Sequence, residues 1–424
     1  MSNLRYLARA LAFLPPILLL ASAIGAISCK SPLSTSSSSG SASPTSTSTV
    51  TGGGFAYVTN SGSGYVTEFK RNITTGFLKY NTRVAAGAAS GTSGPRGIAI
   101  TSNNSFLYVT NVNDNNIYQF TVGSDGTLSP MTPPSVANGS GTLPQQIVTL
   151  TLNSTPTWAF VSNYGAGTIG VYPITSAGPL GTKVANSAIA GLSGPFGLAL
   201  NSTGTILYVS DNARGTIYAL AFNSKTGALA NITSSLPTSP VPSGSTFGSP
   251  GFLALGPIIG SGSGSGAYLL AGDTNPANVT LSMFFIVNSG NGVPAYSSSA
   301  APASNAAIGV AWAGSVGGLP IALSANNGTG AAGSGSITSY VVNGTLLSPS
   351  TSVLPVNGPI SIIVDSQLLH AYSTDLGDGT INQYNLNVVC QAGGTVQTIC
   401  PAIRVVKSDL KISNPGPYGM VLTN

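Results

Sequence analysis

Side chains able to move a proton or hold an ion are scarce along these 424 residues: 14 Lys and Arg, nine Asp and Glu, and one histidine, His370. The only glutamate is Glu68. Hydrolysis of an acyl bond needs a base to activate water and donors for the developing oxyanion. The candidates are Asp211 and Asp273 as bases and Arg96 as the oxyanion partner. With Asp375, the two aspartates could instead offer oxygen ligands to Ca²⁺, but no Asp-x-Asp loop surrounds them. There is no His/Cys cluster for zinc, no phosphate-cradling glycine loop followed by Lys, and no nucleophile elbow. No metal and no cofactor are expected.

These residues sit in repeated phrases, and the repeats say what must position them. One phrase reads Tyr57-Val-Thr-Asn60, Tyr108-Val-Thr-Asn111, Phe160-Val-Ser-Asn163 and Tyr208-Val-Ser-Asp211. Weaker copies run from Tyr268 to Asp273, Ala322 to Asn326 and Tyr372 to Asp375. A second phrase reads Gly94-Pro-Arg-Gly97, Gly194-Pro-Phe-Gly197 and Gly416-Pro-Tyr-Gly419, with variants such as Leu143-Pro-Gln-Gln146 and Ser249-Pro-Gly-Phe252. A third is a Gly-x-Leu turn, as in Gly76-Phe-Leu78 and Gly126-Thr-Leu128. The repeats are roughly 50 residues long and each holds about four short strands, the signature of a β-propeller. A β-helix has much shorter repeats. Seven copies predict an all-β, seven-bladed propeller of four-stranded blades. The last strand phrase, Tyr418 to Thr423, should complete the blade that begins at Phe55, which leaves no open sheet edge at the seam.

In such a ring the loops before each first strand and after each second strand share one face, the default ligand site around a central funnel. The expected ligand-binding face comprises Arg96, Asn111, Gln145, Asn163, Phe196, Asp211, Arg214, Asp273, Asp375 and Tyr418. A competing reading needs no ligand. Asn and Asp at strand ends cap the following turn by accepting its backbone N–H groups. His370 falls at the opposite face and reads as an ordinary surface residue.

The strand phrase resembles the propeller families named for the Tyr-Val-Thr-Asn repeat. Together with the Gly-x-Leu turn, it is similar to the lactonase-type propellers, the 6-phosphogluconolactonase and carboxymuconate-cyclase relatives. The likeness covers essentially residues 55–424 and implies the fold and, as an alternative function, lactone hydrolysis. Such relatives carry histidines and acids near the Gly-Pro phrases, where this chain has Arg96, Gln145, Phe196 and Tyr418. The main expectation is therefore a module that binds a small molecule, carbohydrate or protein on the funnel face without chemistry. A surface protein that simply packs or adheres is a third reading.

Composition excludes other classes. Charged residues make up 5% of the chain, too few for helical bundles. A net charge of +5 spread without blocks gives no stripe for nucleic acid. Residues 1–28 read as an export signal, with Arg5 and Arg9 before an apolar run from Leu11 to Ile27. Ala26-Ile-Ser-Cys29 resembles the lipobox of bacterial lipoproteins, which implies lipidation of Cys29 and a membrane anchor in the cell envelope. Cleavage of a plain secretory peptide is the alternative. Residues 29–54, rich in Ser and Thr, form a tether, and 55–424 form the propeller. Cys390 and Cys400 are expected to form a disulfide in an oxidising compartment. Charge clusters in the first and seventh repeats, whereas residues 226–364 hold only Asp273. The seam should therefore be the polar sector.

Overall fold

The computed structural model describes residues 53–423 apart from 89–93, 186–188, 190, 233–247, 260–264, 276–279, 288–291, 301–305, 317, 329–332, 387–389, 393–394, 398–399 and 408–415. The side chains of 316, 350–354 and 390–407 also lie outside it. Seven antiparallel sheets follow one another along the chain and make a seven-bladed propeller. Six are four-stranded; the third has three strands, with an isolated Ile174–Leu180 bridge where its outer strand would run. Blade 2 is representative, with strands Pro95–Ile100, Phe106–Asn111, Asn116–Val122 and Leu128–Ala137. Its second strand, Phe-Leu-Tyr-Val-Thr-Asn, is buried from its second residue onward. β-Branched and aromatic side chains fill both faces of a sheet packed between two others.

The repeated phrases are explained by what joins one blade to the next. The Ser or Thr hydroxyl accepts an N–H from its own first strand and donates to a carbonyl of the following blade. Thr59 accepts from Gly419 at 2.8 Å and donates to the Arg96 carbonyl at 2.7 Å. Ser162 and Ser210 donate likewise to Phe196 and Gly251, both at 2.7 Å. The glycines of the Gly-Pro phrase permit this approach, because a Cβ on Gly97 or Gly197 would lie 2.6 or 2.4 Å from a carbonyl of the next blade. At the outer rim the tyrosine hydroxyl reaches the Gly-x-Leu turn of the next blade. Tyr57 donates to Gly126 at 3.0 Å, Tyr108 to Gly178 at 2.6 Å and Tyr208 to Gly292 at 2.9 Å. Blade 3 has Phe160 at this place, and the indole N–H of Trp158 makes the link instead, to Ser224 at 3.2 Å. Each such bond is worth about 1 kcal/mol net, and more is lost when its partner is left buried and unpaired.

The ring closes as expected. The strand Pro417–Leu422 pairs antiparallel with Gly53–Asn60, and Phe55 and Thr423 exchange hydrogen bonds beside that pairing. At the same seam Arg71 forms a buried ion pair with Asp365 at 3.2 Å and donates to the Thr423 carbonyl at 3.1 Å. His370 corrects the surface reading: only 4% of it is exposed, and its Nδ1 lies 2.9 Å from Asp365 Oδ2. Burial alone would raise the Asp365 pKa, but hydrogen bonds from His370 and from two backbone N–H groups hold it below the usual carboxylate range.

Candidate functional site

The inner ends of the first strands surround a channel containing a cavity of about 210 Å³. Strand register explains which side chains enter it. Pro95 pairs with Asn111, Pro195 with Asp211 and Pro250 with Asp273, so the residues that follow each proline are equivalent around the ring. The position two after the proline is Gly97, Gly197, Gly309 and Gly419 in four blades, two places after Ala307 in blade 6. In blade 5 it is Phe252, because that blade has Gly251 where the others carry the larger residue. Phe252 thereby reaches across the channel. Its ring lies 5.1 Å from that of Phe196 and 6.4 Å from that of Tyr418, edge to face with the latter. Arg96 completes the group, its guanidinium 5.1 Å above the Tyr418 ring.

Arg96 is anchored through one terminal nitrogen. Its Nη1 donates to Gln145 Oε1 at 2.6 Å, and Gln145 is fixed by donating to the Leu143 carbonyl at 3.1 Å. Its Nε is shut off from solvent and has no hydrogen-bond partner among the described residues. Burial pushes the Tyr418 phenol above the ordinary tyrosine range, against the pull of the guanidinium. The phenol is thus a donor at neutral pH. The remaining wall includes Ile98, Val310, Ile362 and Met420, with Ser361 and Gln146 as neutral polar groups. The Gln146 Oε1 is committed to the Leu198 N–H at 2.6 Å.

The other expected face residues lie elsewhere. Asp211, fully buried, accepts N–H groups of Ser193, Gly194 and Arg214 at 2.7 to 3.2 Å. Asp273 accepts from Gly248, Ser249 and Asn275, and burial raises its pKa. Asp375 is bound by Asn357, Ser373 and Asn382, with burial pushing it up to about 6. Asn111 spans two loops, accepting from Asn113 and donating to Ala86 and Ala88. Asn163 accepts from Asn138 at 2.6 Å. The three aspartates and Asn111 cap loops, Asn163 bonds the Asn138 and Thr168 side chains, and none of the five lines the channel cavity. Arg214 is exposed on the loop after Asp211. Arg96, Gln145, Phe196 and Tyr418 are the expected residues that come together, and Phe252 is the one not anticipated. Its signal was the exchange of Gly and aromatic within Pro250-Gly-Phe252, visible only once the blades are aligned by register. Cys29 lies outside the described residues, as do the side chains of Cys390 and Cys400, so their pairing remains an expectation. Among the described residues no three of His, Cys, Asp and Glu converge.

The model of the family described as Lactonase, 7-bladed beta-propeller matches residues 34–244. A solved structure assigned as a 6-phosphogluconolactonase from Bacteroides fragilis is similar at 16% identity, with a TM-score of 0.63 over 89% of this chain and 99% of that one. A second so assigned, from Bacteroides uniformis, is similar at 15% identity with the same TM-score, over 88% and 99%. The periplasmic gluconolactonase of Pseudomonas aeruginosa is similar at 14% identity with a TM-score of 0.57, over 88% and 99%. These likenesses establish the shared propeller. No curated protein sequence matches this chain.

Proposed function

We propose that the chain is a lactone hydrolase acting in the central channel, displayed from a membrane by a lipid on Cys29. The observation that carries the first part is the placement of Arg96 and Tyr418, two donors at one cavity, in a propeller matched in its first half by the lactonase family model. The export and anchoring part rests on the apolar run from Leu11 to Ile27 and the Ala-Ile-Ser-Cys29 sequence. In this reading water attacks the lactone carbonyl and the new C–O bond forms. Negative charge gathers on the carbonyl oxygen, which accepts from the Arg96 guanidinium and the Tyr418 hydroxyl. The acyl bond to the ring oxygen then breaks, and that oxygen takes a proton ultimately supplied by the attacking water. The products are a carboxylate and an alcohol within one hydroxy acid, plus one released proton.

Acceleration by oxyanion donors is worth about 10²–10³-fold per donor. The described residues lining the cavity include no carboxylate or imidazole, so kcat/KM should be flat, without an acidic limb, between pH 4 and about 7. The test is turnover of a lactone panel by pH-stat, corrected for spontaneous opening. Arg96→Gln should lower kcat/KM about 100-fold with an unchanged melting temperature. Equal turnover by wild type and Arg96→Gln, or none by the wild type on any lactone, would contradict the reading.

A further inference from the structure

We infer that the channel selects a lactone with an apolar or aromatic ring-sized body, whose product is a monocarboxylate, over a phosphorylated polyhydroxy lactone. This deepens the hydrolase reading and names its substrate class. Three observations carry it.

The first is charge. Among the described residues Arg96 is the only charged side chain lining the cavity, and Asp211, Asp273 and Asp375 are taken up by loop capping. One guanidinium, with Nη1 on Gln145 and Nε shut off from solvent, can serve one anionic group through its remaining N–H donors. A phosphate in addition to the reacting carboxyl carbon would need a second cation. Arg214 does not supply it, since it is exposed on its loop and outside the cavity lining.

The second is the wall. Phe252 and Tyr418 meet edge to face, backed by Phe196, with Ile362 and Val310 beside them. A ring laid against these aromatic edges gains packing, whereas each sugar hydroxyl buried without a partner loses its water at a cost. Ser361 and the amide N–H₂ of Gln146 are the neutral side-chain groups left to receive hydroxyls.

The third is size. A cavity of roughly 150 Å³ holds a benzene ring. The channel cavity, about 210 Å³, has room for one ring and a carboxyl group.

The experiment is calorimetric titration of the whole protein with benzoate, gluconate and 6-phosphogluconate at one ionic strength. Benzoate and gluconate carry the same charge, so their comparison isolates the wall; 6-phosphogluconate adds the phosphate. Benzoate should bind about tenfold more tightly than gluconate, and 6-phosphogluconate no more tightly than gluconate. Phe252→Ala should weaken benzoate about tenfold and Phe252→Tyr much less, while Arg96→Gln should weaken benzoate and gluconate alike and keep their ratio. Tighter binding of either sugar acid, or no binding of benzoate, would overturn the inference, and this comparison uses the wild type alone. The two levels separate cleanly. Benzoate binding without turnover of any lactone defeats the hydrolase and leaves the ligand class standing. Lactone turnover that benzoate does not inhibit defeats the ligand class and leaves the hydrolase standing.

Discussion

The interface between blades 7 and 1 and the one between blades 6 and 7 are built from the same repeat by opposite means. At the first, Tyr372 donates to the Gly76 carbonyl at 2.6 Å and Thr374 to that of Tyr418 at 2.7 Å. Gln383 adds a bond to Thr75 at 2.8 Å, and Arg71 reaches from blade 1 to Asp365 of blade 7. At the second, Ala325 stands where five of the other six blades have Ser or Thr and blade 5 has Gly272, and the strand Leu319–Asn326 contains no tyrosine. Its strand packing is apolar, with Ile321, Leu323 and Ala325 against Ile362 and Ala371, and polar bonds gather on the connecting loop at Asn357. What the seam has beyond the repeat is the Arg71–Asp365 pair, set where blade 1 is completed by a strand from the far end of the sequence. Between blades 6 and 7 the hydroxyl and tyrosine of the repeat are replaced, and apolar burial carries more of the contact.

The largest expected effect comes from breaking the reinforced seam. Arg71→Met leaves Asp365 buried beside His370 without its cationic partner and should cost about 3–5 kcal/mol in denaturant unfolding. A loss under about 1 kcal/mol would mean that the seam is not specially fastened.

A smaller, pH-dependent effect belongs to Glu68, also in blade 1. Burial pushes it up to about 7, opposed by the Leu128 N–H and aided by Asp125. Its folded pKa is raised, so the stability it contributes is full below its ordinary value and falls as pH rises towards 7. Gln119 takes the equivalent place in blade 2, where its Oε1 accepts from Leu180 at 2.9 Å. Glu68→Gln should therefore flatten the decline of melting temperature between pH 5 and 8, gaining about 2 kcal/mol at pH 8. An unchanged slope would show that Glu68 ionises without penalty.

The smallest effect sharpens the comparison from the other side. Ala325→Ser offers the missing hydroxyl to blade 7 and should stabilise by less than about 1 kcal/mol, whereas Thr59→Val should cost about 1–2 kcal/mol. Equal and opposite changes would mean that the two interfaces differ only in this one bond.

Much of the fold was legible in the sequence because each repeated residue answers a contact made once per blade. Tyr57, Thr59 and Gly97 recur since the ring presents the same neighbour seven times. The site was less legible for the same reason. Asp211 and Asp273 stood out by charge, yet their strand-end position is the repeat's capping position, and rarity along a chain does not show which way a side chain turns. Phe252 matters because it breaks the repeat by one residue, and such a shift is read only from strand register. His370 looked like a surface residue because Asp365, five residues earlier, is an ordinary turn acid until the fold buries the two together with Arg71.

The channel beside Arg96 is where the substrate is expected to bind. A second cavity of about 670 Å³ between blades 4 and 5, lined by Tyr208, Leu255 and Ile258, offers a direct contrast. A crystal structure of the protein grown with benzoate tests the claim most directly. Density is expected in the channel, with the carboxylate on the Arg96 guanidinium and the ring against Phe252 and Tyr418. An empty channel with the ligand in the larger cavity would contradict it.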